Sequence, residues 1–198
     1  MSVLSRIRID HQTAAQCRLN DSYAWHKALW KAFPNLGNRN FLYRVEPQDN
    51  GFLVYLLSEA EPEKQAWGRW ESKTVGDAFL GHSSYRFQLC ANPTVKRKVE
   101  GRKNGTRTAI CDPEELKAWL VRKAEQGGFS VDESALRISP AINQPFRKNG
   151  KHGNHKRVEF QGILRVAQPE PFKETFKKGI GSAKAFGFGL LVLQPIHS

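Results

Sequence analysis

The chain has 198 residues, of which 39% are hydrophobic and 25% charged, enough to build the core of one large domain or of two small ones. Thirty-one Lys and Arg against nineteen Asp and Glu leave a formal charge of +12, a surplus whose usual partner is a polyanion such as nucleic acid. Three scattered cysteines, Cys17, Cys90 and Cys111, exclude a disulfide framework and a CxxC zinc site, and no run approaches the ~20 apolar residues of a membrane span.

The N-terminus lacks the continuous apolar segment of a signal peptide, and scattered cysteines fit a reducing compartment, so a soluble cytoplasmic protein is expected. Residues 3–9 alternate, with Val3, Ser5, Ile7 and Ile9 on one face and Leu4, Arg6 and Arg8 on the other, which predicts a strand. A helix follows, with capping residues at 20–22 and a stop at Pro34. Ser22, Trp25, Leu29, Ala32 and Phe33 form its inward stripe. Tyr23, His26, Lys27, Trp30 and Lys31 are then displayed on or beside the other face.

Tyr23 and His26 stand three apart and therefore neighbour each other one turn along the helix. Histidine titrates nearest neutrality, and a phenol can donate to a phosphate or orient a hydroxyl. An amphipathic helix that merely exposes these groups has the same pattern, so the helix alone leaves both readings open.

Residues 41–45 and 51–57 predict a hairpin across Pro47 and Asn50-Gly51. Residues 59–74 are polar, with a weak helix signal around Trp67 and Trp70. Residues 83–90 read as the fourth strand of a first unit ending at 91. Strand, helix, strand, strand, weak helix, strand is the ferredoxin-like order.

A second unit is expected over 96–198. Its start is cationic: Lys96, Arg97, Lys98, Arg102, Lys103 and Arg107 stand against Glu100 alone. Asp112-Pro113-Glu114-Glu115 opens a helix with a cap, a proline and two acids in the first turn, and Leu116, Trp119, Leu120 and Lys123 space its inner face. Strands at 136–142 and 158–166 flank a protruding basic tip carrying Arg147, Lys148, Lys151, Lys156 and Arg157 with His152 and His155. Either basic segment could be a solvated charge run; two in one chain favour nucleic acid. A helix from Pro169 to Lys178 and a last strand at 190–193 complete the pattern. The fold class expected is α+β, two ferredoxin-like units in tandem.

Between that helix and strand, Gly179, Gly181, Gly187 and Gly189 with Lys184 form a glycine-rich loop. Its exposed N–H groups could cradle a phosphate, or the loop could be a tight turn. A dinucleotide loop would need a βαβ unit after it, and only nine residues follow Gly189. Residues 184–188 imitate an RNA-recognition-motif signature, but the helix and strand that should come next are missing.

Taken together, residues 23–34, 41–45, 87–93, 160–164 and above all the terminal 179–184 and 187–191 resemble the CRISPR-associated endoribonuclease CasE, the precursor-crRNA processing subunit of type I-E Cascade. The resemblance spans essentially the whole chain. It implies tandem ferredoxin-like folds that bind a CRISPR repeat hairpin, cut at the 3′ base of its stem without metal or cofactor, and assemble with other Cascade subunits. The upstream 2′-hydroxyl attacks the phosphorus, leaving a 2′,3′-cyclic phosphate and a 5′-hydroxyl.

Carried over residue by residue, His26 is the general acid or base and Tyr23 orients the 2′-hydroxyl or a phosphate oxygen. Lys31, with Lys27 beside it, stabilises the phosphorane. RNA contacts are expected from the cations at 96–107 and 147–157 and from Gly181, Ser182 and Lys184, the loop lying across a cleft from the first helix. The competing reading is a non-catalytic RNA-binding or structural subunit of a crRNA ribonucleoprotein. A metal-dependent nuclease is the weakest, since His152 and His155 lack a nearby carboxylate in the sequence.

Overall fold

The computed structural model describes residues 2–35, 37–38, 40–98, 105–148 and 150–196. Alternation in the first strand, β1 (Ser2–Asp10), buries Ile7 and Ile9 and exposes Arg6 and Arg8. Asp10 then caps a helix that sequence patterning does not reveal, α1 (His11–Gln16), by accepting Thr13 N–H at 2.7 Å. It buries only Ala14, so no apolar period marks it. The expected helix is α2 (Ser22–Trp30), capped by Asp21. Its predicted inward stripe of Ser22, Trp25, Leu29, Ala32 and Phe33 is buried.

The hairpin β2 (Phe41–Gln48) and β3 (Gly51–Ser58) pairs Gln48 with Gly51 across a two-residue turn. Gly51 is obligatory: a Cβ there would lie 2.0 Å from Ile9 O. The next strand departs from expectation. β4 (Arg69–Val75) occupies the stretch with the weak helix signal and pairs antiparallel with β1, closing a sheet of order β2-β3-β1-β4. The crossover at 59–68 contains no helix.

After a short helix, α3 (Asp77–Leu80), comes β5 (Ser84–Ala91). Sequence patterning assigns it to the first unit, but it hydrogen-bonds β11 and β12 in the second sheet. The chain continues through the ribbon β6 (Thr94–Arg97) and β7 (Thr106–Ala109), then α4 (Pro113–Gln126) capped by Asp112. Short β8 (Phe129–Val131) and β9 (Arg137–Ile138) lean on β11.

β10 (Ile142–Lys148) and the 16-residue β11 (Lys151–Val166) form one continuous ladder, so the expected basic tip is paired strand out to Lys148 and Lys151. Helix α5 (Pro169–Lys178) and β12 (Leu191–Pro195) complete a sheet of order β10-β11-β5-β12. Both sheets thus have the 2-3-1-4 order of a ferredoxin-like fold, two in tandem. On α4 the inner position goes to Ala124, while Lys123 turns to the side and donates to Gln126 Oε1 at 3.1 Å. No helix among the described residues is long and apolar enough to cross a membrane.

The first sheet's helices cover a core built on Ile7, Val54, Leu56, Trp25 and Leu29. Leu42, Leu57, Val75 and Leu80 instead join Leu89, Phe160, Phe176 and Leu191 of the second unit in a shared core. Beside that seam, Arg44 lies between Glu46 and Glu159, both at 2.8 Å, and Arg157 also pairs with Glu159. The Arg44 side chain is 5% exposed. Burial pushes the Glu159 carboxyl up, but Arg44 and Arg157 more than offset it and hold its pKa below the usual range.

Arg44→Met should therefore cost about 2–4 kcal/mol at pH 7, since it takes the cation from Glu46 and leaves half-buried Glu159 with Arg157 alone. A lowered folded pKa gives stability that is present above the unfolded value and lost as the pH falls through the folded one. Melting curves at pH 7 and in acid should show the gap between variant and wild type narrowing in acid; a gap that stays constant or widens contradicts the pairing.

Candidate nucleic-acid interface and cleavage site

The capped first turn of α2 fixes where its side chains emerge. The Tyr23 and His26 rings are roughly parallel, with centroids 6.3 Å apart and planes at 28°. His26 also packs edge-on against Trp30 at 5.5 Å and against Phe41 at 6.1 Å, so apolar rings hold the imidazole on its three-residue step from Tyr23. Lys27 Nζ stands 5.1 Å from the Tyr23 ring centroid, and Lys148 Nζ reaches the same ring at 5.9 Å from the tip of β10. Two ammonium groups from distant segments therefore flank one phenol, a cationic setting suited to a phosphate. Lys31 is exposed at the C-cap of the helix, one turn beyond Lys27.

The glycine-rich loop is placed differently from expectation. It packs directly on α2 instead of facing it across a cleft: Phe186 lies 6.3 Å from Tyr23. The Tyr43 hydroxyl donates to Ser22 O at 2.7 Å and also faces Ala185 O at 3.1 Å, joining helix and loop. Ile180 N–H to Gly189 O (2.9 Å) and Gly189 N–H to Cys90 O (2.8 Å) close the loop onto β5. Lys184 points to the other flank, where its Nζ donates to Lys178 O at the end of α5 at 2.7 Å.

On that flank a groove of about 540 Å³ is lined by Lys96, Arg107, Lys123, Gly181, Ser182 and Lys184 over the edge of Trp119. Lys96 and Arg107 are cross-strand partners on the β6–β7 ribbon. Like charges placed directly opposite are destabilising unless an anion lies between or beside them. Arg97 faces away and pairs with Glu115 at 2.8 Å, and Lys98 is exposed at the end of β6. Arg102 and Lys103 lie outside the described residues.

The second ribbon, β10–β11, crosses the N-terminus of α2. Arg147 and Lys151 are exposed near its tip. Lys156 is half-buried, its N–H held by Asn92 Oδ1 at 3.0 Å. Arg157, counted among the RNA contacts by sequence, spends its guanidinium on Glu159, with 21% of its side chain exposed. His155 stacks on Phe146 at 4.5 Å and lies 4.7 Å from Phe186, and burial lowers its pKa. Gly153 makes room for this stack, because a Cβ would meet the Phe146 ring at 2.3 Å. Lys123 and Phe186 reach these surfaces through pairing between distant segments, which local sequence patterns do not reveal; Lys148 is among the contacts expected from sequence, but its approach to Tyr23 is not. Among the described residues no three His, Cys, Asp or Glu side chains converge as a metal-binding group.

The family model described as CRISPR associated protein matches residues 3–195. The chain is 30% identical over 202 residues to the CRISPR-associated endoribonuclease Cse3 of Thermus thermophilus, covering 92% of this chain and 94% of the relative. It is 30% identical over 188 residues to the CRISPR system Cascade subunit CasE of Escherichia coli, covering 89% and 93%. Among solved structures, Thermus thermophilus Cse3 bound to an RNA representing a pre-cleavage complex superposes with a TM-score of 0.83 at 26% identity, over 98% of this chain and 99% of that one. Cse3 bound to a 19 nt RNA gives 0.85 at 27% identity, over 98% and 100%. A match along nearly the whole length of chain and relatives places this protein in the family of CRISPR-associated endoribonucleases that includes Cse3 and CasE.

Proposed function

We propose that the chain is a precursor-crRNA processing endoribonuclease that cuts a CRISPR repeat hairpin at the 3′ base of its stem. The observation that carries this is the Tyr23–His26 pair, held by aromatic packing on α2 and flanked by Lys27 and by Lys148 of a basic ribbon. The units that carry these roles divide between Val75 and Ser84, because β5 pairs within the second sheet, rather than between 91 and 96.

The chemistry follows from the groups present. RNA supplies its own nucleophile, the 2′-hydroxyl next to the scissile phosphate, so the protein must move protons and stabilise charge. His26 acts as general acid or base, a contribution of roughly 10²–10⁴-fold. Tyr23 orients the 2′-hydroxyl or a phosphate oxygen, and Lys27, Lys31 and Lys148 lower the energy of the phosphorane by fixed positive charge. No step needs a metal. A labelled repeat hairpin incubated with the protein in EDTA should yield a 2′,3′-cyclic phosphate and a 5′-hydroxyl. An intact hairpin, bound but uncut, would support a non-catalytic subunit instead, and cleavage only after adding a divalent ion would sink the mechanism.

Duplex RNA buries its base edges in a deep, narrow major groove, so the ribbons serve chiefly as phosphate grips. Arg147 and Lys151 on β10–β11, and Lys96 and Arg107 in the groove beside the glycine loop, have no acidic partner among the described residues. Neutralising Arg147 and Lys151 to Gln should weaken hairpin binding and flatten its logarithmic salt dependence by about one for each phosphate left without its cation. An unchanged slope would take the ribbon out of the grip. As a CasE-like chain, the protein is proposed to act in the cytoplasm and to keep its crRNA product while joining the other Cascade subunits.

A further inference from the structure

A helix cap needs one oxygen, and Asp21 uses two. Its Oδ1 accepts Ala24 N–H at 2.7 Å and so starts α2, the helix of Tyr23 and His26. Its Oδ2 accepts the N–H of Arg147 at 3.1 Å, from a residue 126 positions away. β10 is the edge strand of its sheet, and an outward edge N–H is otherwise left to solvent. The flanking residues engage the same region: Phe146 packs on Phe186 at 4.4 Å, Phe186 on Tyr23 at 6.3 Å, and Lys148 stands over Tyr23 at 5.9 Å. The Arg147 side chain itself is exposed.

We propose that Asp21 is a positioning residue that couples the RNA-gripping ribbon to the cleavage helix. This rests on the function proposed above. Arg147 joins the two jobs: its exposed guanidinium has no acidic partner among the described residues and can take a phosphate, while its N–H is fastened to the cap of α2. A hairpin held by the ribbon is thereby registered against Tyr23, two residues beyond the cap, and His26, five beyond. Displacing reacting groups by about 1 Å can cost on the order of 10²-fold, so losing part of this registry should slow cleavage without loosening the grip.

Two substitutions separate capping from tethering. Asp21→Ser keeps a capping oxygen but has no second acceptor. Asp21→Asn keeps the Oδ1 acceptor, while its amide nitrogen cannot accept from Arg147. Single-turnover cleavage of a repeat hairpin by excess protein is compared with the hairpin Kd and the melting temperature. Both variants are expected to melt near wild type, to bind within about twofold, and to cut about 10-fold more slowly. Asp21→Ala, which loses cap and tether together, should also melt earlier. Asn and Ser variants that cut as fast as wild type, or whose slowing matches a loss of binding or folding, overturn the coupling. A wild-type protein that leaves the hairpin intact would instead remove the function on which the proposal rests.

Discussion

Replacing His26 with alanine is expected to leave the repeat hairpin bound and nearly uncut. The imidazole is the general acid–base type of side chain on this face of α2, and it sits one turn from Tyr23 with Trp30 and Phe41 beside it. Single-turnover rates should fall by roughly 10²–10⁴-fold, the usual worth of a positioned acid or base. Hairpin affinity should change little, because the proposed grip lies on the ribbons, whose cations the substitution leaves in place. Filter binding and cleavage measured on one preparation separate the two effects. Undiminished cutting would take His26 out of the mechanism, whereas a parallel loss of binding would make it a contact and not a proton carrier.

Gly189→Ala should damage both the fold and the chemistry. Gly189 has a φ of +88°, which an L side chain adopts only under strain, and an added Cβ would lie 2.6 Å from Ile180 O. That atom belongs to the residue whose N–H closes the loop on Gly189 O at 2.9 Å, so the strain cannot be relieved without opening the loop. About 2–4 kcal/mol of stability should go. The loop also bears Ala185 and Phe186, which meet Tyr43 and Tyr23, so the rate per folded molecule should drop as well. Melting and single-turnover assays report the two losses. A variant that folds at wild-type stability would mean the loop has slack, and one that folds poorly yet cuts normally would mean the loop does not support α2.

How much of this is legible in the residues depends on whether the signal is local. The α2 helix can be read because Asp21, the apolar spacing of Trp25 and Leu29, and the Tyr23–His26 step all lie within one short segment. Both hairpin partners β2 and β3, the helix α4 and the tandem α+β class can be read for the same reason. β4 cannot: it buries only Trp70 and Val75 at the edge of its sheet, leaving no run of alternating apolar residues. The strand character of β5 is plain, but its partner is not, since pairing with β11 and β12 joins segments some 70 and 100 residues away. The tip of β10–β11 reads as a loop because its residues pair with each other and face no core. In the site itself, the spacing on one helix is visible. The partner of Asp21's second oxygen, Lys148 and Phe186 all arrive from the far end of the chain, and only the fold brings them in.

In the proposed mechanism the RNA's own 2′-hydroxyl, activated by side chains of this chain, breaks the backbone. The most direct measurement uses the wild-type protein and a repeat hairpin carrying a single 2′-deoxynucleotide just upstream of the scissile phosphate. That RNA should bind as the all-ribose hairpin does and remain uncut in EDTA. Cleavage at the same phosphate despite the missing hydroxyl would rule out attack by the 2′-hydroxyl.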